Sequence, residues 1–273
     1  MIPDKLTTDN SEKYKVSIRL MPDGLSFWGY IPGEKDSFFM ETFRYGQTMP
    51  AVESLKNIIF NQPCFSYVYQ SFQVICVSGK YTMASDHVFI EKEKERFFFF
   101  CHPKDKTLKI LIQPVKALNA SILFGIDKEI YAFLLRTLSN PQFIYSLSPL
   151  LVAWHKKSLQ VYPKLMHVVI HEDSIDVLCV EQGSLLFVNS FHNDSTTNDI
   201  VYYIMYTCKQ TGFNQFNDYL TISGNKDQCR SILSVVNKYV KNTVYLPATL
   251  NNYQVALDLD LTLDMIALVE CGV

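Results

Sequence analysis

Apolar and polar positions alternate in short runs between turn residues, and this pattern occurs twice along the chain. The first run is Lys15-Val-Ser-Ile-Arg-Leu20, a Pro22-Asp23-Gly24 turn, then Leu25-Ser-Phe-Trp-Gly-Tyr-Ile31 and a Pro32-Gly33 turn. A third extended run, Ser37 to Arg44, leads to a helix opening at Thr48-Met49-Pro50, and Phe72 to Val77 closes the unit at Ser78-Gly79. The second copy starts at Leu165-Met-His-Val-Val-Ile170, turns at Glu172-Asp173-Ser174 and continues through Ile175 to Val180. After a Gln182-Gly183 turn, Leu185 to Phe191 is its third strand. A helix opens around Ser195-Thr196-Thr197, and Tyr219 to Ile222 ends at Ser223-Gly224. Period-two runs joined by short turns predict hairpins, and a repeated unit of this size predicts a duplicated fold. Val16, Ile18 and Leu20 correspond to Met166, Val168 and Ile170, with alternate residues expected inside.

Between the copies the pattern changes. Glu91-Lys-Glu-Lys-Glu-Arg96 reads as a solvated turn or short helix. Phe97-Phe-Phe-Phe-Cys101 reads as a strand covered on both faces, with an exposed partner-binding edge as the competing reading. Leu108 to Gln113 and Ala120 to Phe124 continue as sheet. Asp127 caps a helix carrying Ile130, Tyr131, Leu134, Leu135 and Leu138, which Asn140-Pro141 stops. A helix from Ser148-Pro149 turns Leu150, Leu151 and Trp154 inward. Pro163 divides the chain into an N-terminal half, 1–162, and a C-terminal half, 163–273. In the second half, a helix at Thr197–Thr211 ends at Gly212. A further helix spans about Asp227 to Lys241, a strand Thr243–Leu246, and a last helix 262–271, which has the option of packing back on the first half.

Composition narrows the function. A content of 48% hydrophobic and 14% aromatic residues suits a folded protein with covered sheets. A formal net charge of -2 provides no general attraction to nucleic acid or anionic lipid, and neither is expected as a partner. Seven cysteines, scattered and without a C-x-x-C pair, fit a reducing compartment, and no apolar run is long enough to span a membrane, so a cytoplasmic location is expected. The six histidines lack zinc-ligand spacing, and no Walker A, G-x-G-x-x-G or G-x-S-x-G occurs.

The duplicated strand-strand-strand-helix-strand unit resembles the actin-like ATPase superfamily. Ile122-Leu-Phe-Gly-Ile-Asp127-Lys-Glu-Ile-Tyr131 and Leu185-Leu-Phe-Val-Asn-Ser-Phe191 are similar to segments of its PilM branch. The whole chain also resembles an uncharacterised bacterial domain-of-unknown-function family with that fold. The resemblance implies an α/β protein with a duplicated RNase H-like/actin-like ATPase fold: two βββαβ-type mixed-sheet halves with a cleft between them. In the superfamily, a glycine-bearing hairpin turn of each half approaches the phosphates of ATP, an Asp holds the magnesium shell, and a Gly-Gly pair lies beside the adenine.

Only fragments of that signature remain. Asp23, Gly24 and Ser26 form the candidate first phosphate turn, and Ser223 with Gly224 the candidate adenine edge; together they make up a degenerate nucleotide cleft. Asp23-Gly24 also serves as an ordinary hairpin turn. The second turn, His171 to Asp176, has carboxylates and no glycine, which would repel a triphosphate. The expected function is therefore a non-catalytic interaction module with an unidentified protein partner, no cofactor and no metal. The alternatives are a divergent ATP-binding or ATP-hydrolysing protein using ATP with magnesium, and a small-molecule kinase with Asp173 or Asp176 as base. The segment Glu91–Cys101 is the expected contact surface.

Overall fold

The computed structural model describes residues 6–46, 48–78, 80–160, 163–171, 174–192, 196–250, 252–253, 259 and 261–271. The chain divides into two compact units. The first comprises Met1–Pro114, Ser121–Ser146 and Leu250–Asp260, and the second Val115–Ala120, Leu147–Thr249 and Leu261–Val273.

In the first unit, β1 (Lys15–Met21), β2 (Gly24–Tyr30) and β3 (Phe39–Arg44) form an antiparallel meander, and α1 (Ala51–Asn61) follows. Strand β4 (Ser71–Cys76) then returns parallel to β1. The chain next builds a separate layer from β5 (Tyr81–Ser85), α2 (Lys94–Cys101), β6 (Leu108–Val115) and β7 (Ala120–Asp127). Helix α3 (Lys128–Thr137) leads back to β8 (Pro141–Tyr145), which lies parallel to β4. The main sheet has the order β3-β2-β1-β4-β8, and the small one β5-β7-β6.

The second unit opens with α4 (Leu147–Ser158), followed by β9 (Leu165–Ile170), β10 (Ser174–Glu181) and β11 (Ser184–His192). Helix α5 (Thr197–Thr211) leads to β12 (Tyr219–Ser223), α6 (Lys226–Val236), β13 (Asn242–Tyr245) and finally α7 (Leu263–Cys271). Its sheet order is β11-β10-β9-β12-β13, with β9 antiparallel to β10 and parallel to β12. Position by position this repeats the first sheet: two antiparallel pairings, then two parallel ones. The duplication is complete in topology, and both sheets are mixed as predicted.

The caps follow from local chemistry. Asp127 accepts from the backbone N–H groups of Glu129 and Ile130 at 2.8 and 3.1 Å, and Asn225 does the same for Asp227 and Gln228 at 3.1 and 3.2 Å. Each such cap satisfies N–H groups that have no partner within the helix. Gly212 takes the left-handed conformation, φ 60°, that closes α5.

Three expectations need correction. The four phenylalanines lie on helix α2. A helix turns about 100° per residue, so consecutive rings point in different directions. Phe98 is fully buried with Ala84, Ile110 and Leu123, while Phe97 and Phe99 flank that cluster. Phe100 is 90% exposed. The preceding Glu/Lys/Arg run, made of good helix formers, leads directly into this helix. Secondly, burial does not alternate in the central strands: all six residues of β9 are buried, and so are Val16 to Arg19 of β1. On one face of β9, Met166, Val168 and Ile170 join Ile200 and Ile204 of α5 and Ile232 and Val236 of α6. On the other face, Trp154 of α4 stacks on His167 with ring centroids 3.2 Å apart. A strand sandwiched between helical layers has no solvent face to mark. Thirdly, α6 ends at Val236, about a turn earlier than its periodicity predicts.

Candidate functional site

The residues assigned to a nucleotide by resemblance fall on two turns, one in each unit. The first is the β1–β2 hairpin, closed by Met21 opposite Gly24 with Pro22 and Asp23 at its tip. Register with β3 sets Gly24 opposite Arg44 and Ser26 opposite Thr42. Arg44 donates to the Asp23 carboxylate, and the Tyr45 N–H donates to the Asp23 carbonyl at 2.8 Å. Both members of the ion pair are more than half exposed, so its contribution to stability is about 1 kcal/mol or less. Burial, with Asp23 nearby as the second cause, pushes the Tyr45 hydroxyl up to about 12.

Gly24 has a packing reason for lacking a side chain. A Cβ there would lie 2.1 Å from the Phe43 carbonyl oxygen, so the glycine allows close approach of β3. Ser26 is 4% exposed, and its hydroxyl pairs with that of Thr42 at 3.1 Å. Thus Asp23, Gly24 and Ser26 are each committed to β3. The Ser26 hydroxyl is buried against a protein partner, and the exposed Asp23 carboxylate pairs with Arg44.

In the second unit, Gly224 follows β12 with φ 131°, and a Cβ on it would lie 2.5 Å from the Ile170 carbonyl oxygen. The turn therefore needs glycine in order to pass the end of β9. Tyr245 donates to the Gly224 carbonyl at 3.4 Å, and the next residue, Asn225, caps α6. Ser223 is 2% exposed, and its hydroxyl has no partner among the described residues. The Ser-Gly-Asn segment makes a strand-to-helix turn. Its first-unit counterpart is Ser78, whose carbonyl accepts from the Tyr145 hydroxyl; Gly79 lies outside the described residues.

The β9–β10 turn lies partly outside the described residues, Glu172 and Asp173 included, so the proposed kinase base Asp173 has no described position. The neighbouring Asp176 is committed on both oxygens. His171 Nε2 lies 2.9 Å from one, and the Ser190 hydroxyl donates to the other. An acceptor already holding two donors is poorly placed to take a substrate proton.

Cys101 is exposed, and the other cysteines whose side chains are described are buried. Burial pushes the Cys76 and Cys208 thiols up to about 12, and those of Cys64, Cys179 and Cys229 to about 11. These thiols are packing groups. Among the described residues, no group of three or more His, Cys, Asp or Glu is placed to hold a metal ion. No helix among them is long and apolar enough to cross a membrane.

Two features were only partly legible in the sequence. His167 is fully buried; its Nδ1 pairs with the Thr221 hydroxyl, and Nε2 has no partner among the described residues. Loss of water, with Lys157 as the second cause, holds its pKa well below the usual histidine range. The other is an exposed apolar series on the small layer: Val88 at 68%, Ile90 at 61% and Phe100 at 90% exposure. Reading Phe97–Phe100 as a strand allows exposure only as an open edge, so the helix that turns Phe100 outward was not foreseen.

The family described as "Protein of unknown function (DUF3822)" matches residues 3–243. A solved structure from Bacteroides thetaiotaomicron VPI-5482, described as a protein with actin-like ATPase fold and unknown function, is similar at 29% identity and a TM-score of 0.84. The alignment covers 97% of this chain and 99% of that one. A PilM–PilN type IV pilus biogenesis complex is similar at 10% identity and a TM-score of 0.51, over 86% of this chain and 88% of that one. No curated protein matches. The fold is thus the actin-like ATPase fold.

Proposed function

We propose that this chain, which belongs to the DUF3822 family, is a non-catalytic protein-interaction module on an actin-like scaffold. The observation that carries this reading is the commitment of Asp23 to Arg44 and of Ser26 to Thr42 on the first hairpin. A scaffold retained without its phosphate ligands is available for binding work, because a fold does not prescribe a function. On this reading the protein needs no cofactor, and its partner is a protein rather than nucleic acid or membrane. The contact surface is the Glu91–Cys101 segment, where Phe100 projects beside a charged run. Interface cores have this make-up, an aromatic anchor with a polar rim. Similarity to PilM, solved with PilN, is in keeping with a protein partner.

One observation favours the divergent ATP-binding alternative: the buried, unpartnered Ser223 hydroxyl next to Gly224. Thermal unfolding with about 1 mM ATP and excess magnesium decides between the two. A site with a dissociation constant of about 10 μM would raise stability by about 2.7 kcal/mol under those conditions. The expected result is no shift; a rise of that size would overturn the interaction reading in favour of a nucleotide site.

A further inference from the structure

The small layer of the first unit contains a groove whose walls come from three elements. Lys94 and Glu95 of α2, Lys109 and Ile110 of β6, and one face of α3 border an open space of about 550 Å³. On α3, Lys128, Tyr131, Ala132, Leu135 and Arg136 lie three and four positions apart, so they form one stripe. That stripe places a cation at each end and apolar groups between them.

The charge in this groove is unbalanced. Lys94, Lys109, Lys128 and Arg136 face a single lining carboxylate, Glu95. Arg44, Arg96 and Arg230 each pair with a carboxylate, whereas Arg136 donates through Nε to its own helix, at Ala132 O, 3.0 Å away. Lys128 donates to the Lys106 carbonyl at 2.6 Å, and Lys109 Nζ lies 4.7 Å from the centroid of the Tyr131 ring. Among the described residues, none of the four cations has a carboxylate within ion-pair distance. The local positive charge is set into a chain whose formal net charge is -2. The floor is apolar: Ile110 is buried, Tyr131 half-buried, and Leu135 49% exposed.

We propose that this groove docks an acidic, amphipathic segment of a partner protein, one whose carboxylates meet Lys94, Lys109, Lys128 and Arg136 while an apolar side chain lies on Tyr131 and Leu135. The proposal rests on the interaction-module reading and names the chemistry of the partner. Charge complementarity selects an anionic occupant. The apolar strip between the cations favours a peptide over a phosphate backbone, which would leave Leu135 uncovered and would find no general positive field on this protein.

The test uses the full chain and a fluorescein-labelled synthetic peptide with Glu and Leu at helical spacing, read by anisotropy at low and moderate salt. Polyglutamate of equal length and a single-stranded oligonucleotide of equal charge serve as competitors. The peptide is expected to bind, and polyglutamate and the oligonucleotide to compete more weakly. Lys128→Glu/Arg136→Glu should weaken binding at least about tenfold. Lys156→Glu/Lys226→Glu, an equal charge change on exposed positions of the second unit, should change it by less than about twofold. Lys128→Gln/Arg136→Gln provides the same comparison if charge reversal disturbs folding. Absent peptide binding, equal losses from both reversals, or tighter binding of the oligonucleotide would each overturn the proposal. The interaction-module reading has a separate test: Phe100→Ser, with identified partners compared against the unsubstituted protein. A silent groove with partners lost on Phe100→Ser would sink only the groove.

Discussion

Truncating Phe98 to Ala should destabilise the small layer of the first unit far more than truncating Phe100, although the two rings are one helical turn or less apart. Phe98 has no exposed surface, lies among Ala84, Ile110 and Leu123, and meets Phe99 edge-on at 5.3 Å between ring centroids. Removing a buried phenyl group typically costs about 3–5 kcal/mol, the lost transfer energy plus the cavity left behind. The lost edge-to-face contact accounts for about 0.5–1.5 kcal/mol of such a change. Among the described residues only four of this cluster are buried, and half-buried Phe89, Phe97 and Leu108 can close in, so we expect the low end, about 3 kcal/mol. For a chain of this length, that is a drop in melting temperature of about 6 °C, if the chain unfolds as one cooperative unit. Should the layer open by itself, the loss will instead appear as faster amide exchange confined to α2, β6 and β7. Phe100→Ala should stay within about 0.5 kcal/mol. Thermal melts and exchange measured by mass spectrometry give both numbers. If Phe98→Ala melts with the unsubstituted protein and leaves exchange unchanged, or if Phe100→Ala is equally damaging, the helical assignment of this run is wrong.

Three further outcomes are expected. His167 is held neutral by burial, so the unfolded chain takes up the extra proton as pH falls through about 6.5. Stability should then decline below that pH by up to about 1.4 kcal/mol per unit, and urea titrations of His167→Gln should lack this component. Gly224→Ala forces a side chain against the Ile170 carbonyl at a left-handed φ, and should cost upwards of about 1–3 kcal/mol in thermal melts. Asp23→Ala removes only an exposed ion pair, so its melting should change by no more than about 1 kcal/mol, and addition of ATP with magnesium should have no effect on either protein.

Turn chemistry made the duplication legible. Pro22-Asp23-Gly24 and Gln182-Gly183 mark hairpins before any contact is known, and Gln182 and Gly183 do take the left-handed angles, φ 47° and 82°, that such a turn requires. The cap at Asp127 was equally local, whereas the one Asn225 provides for α6 was not foreseen. The misreadings arose where the deciding partner is distant in sequence. His167 is covered by Trp154, a residue of the preceding helix, so no alternation marks β9 as covered on both faces. Four adjacent phenylalanines have no period of their own, and only a cluster drawn from Ala84, Ile110 and Leu123 decides which ring turns inward. The fragmentary nucleotide signature was ambiguous for a similar reason. Asp23 and Ser26 look like ligands until β3 brings Arg44 and Thr42 alongside. The groove draws its cations from positions 94, 109, 128 and 136, on three elements, and no spacing along the chain announces it.

The asymmetry between the two copies has a kinetic consequence. In the second sheet, β12 is joined to its parallel neighbour β13 through α6 alone. In the first, the chain leaves β4, builds the whole small layer and α3, and only then returns as β8. The two closures span roughly 20 and roughly 60 residues, a difference of about 1 kcal/mol in loop-closure entropy. Pairing across the shorter span is favoured early, because non-local contacts form only after that entropy has been lost. The C-terminal copy should therefore acquire its parallel pairing first during refolding. Strand β4, still open along one edge, would meanwhile wait for the inserted layer and α3 to form, and in that interval the chain is most exposed to pairing with another copy of itself.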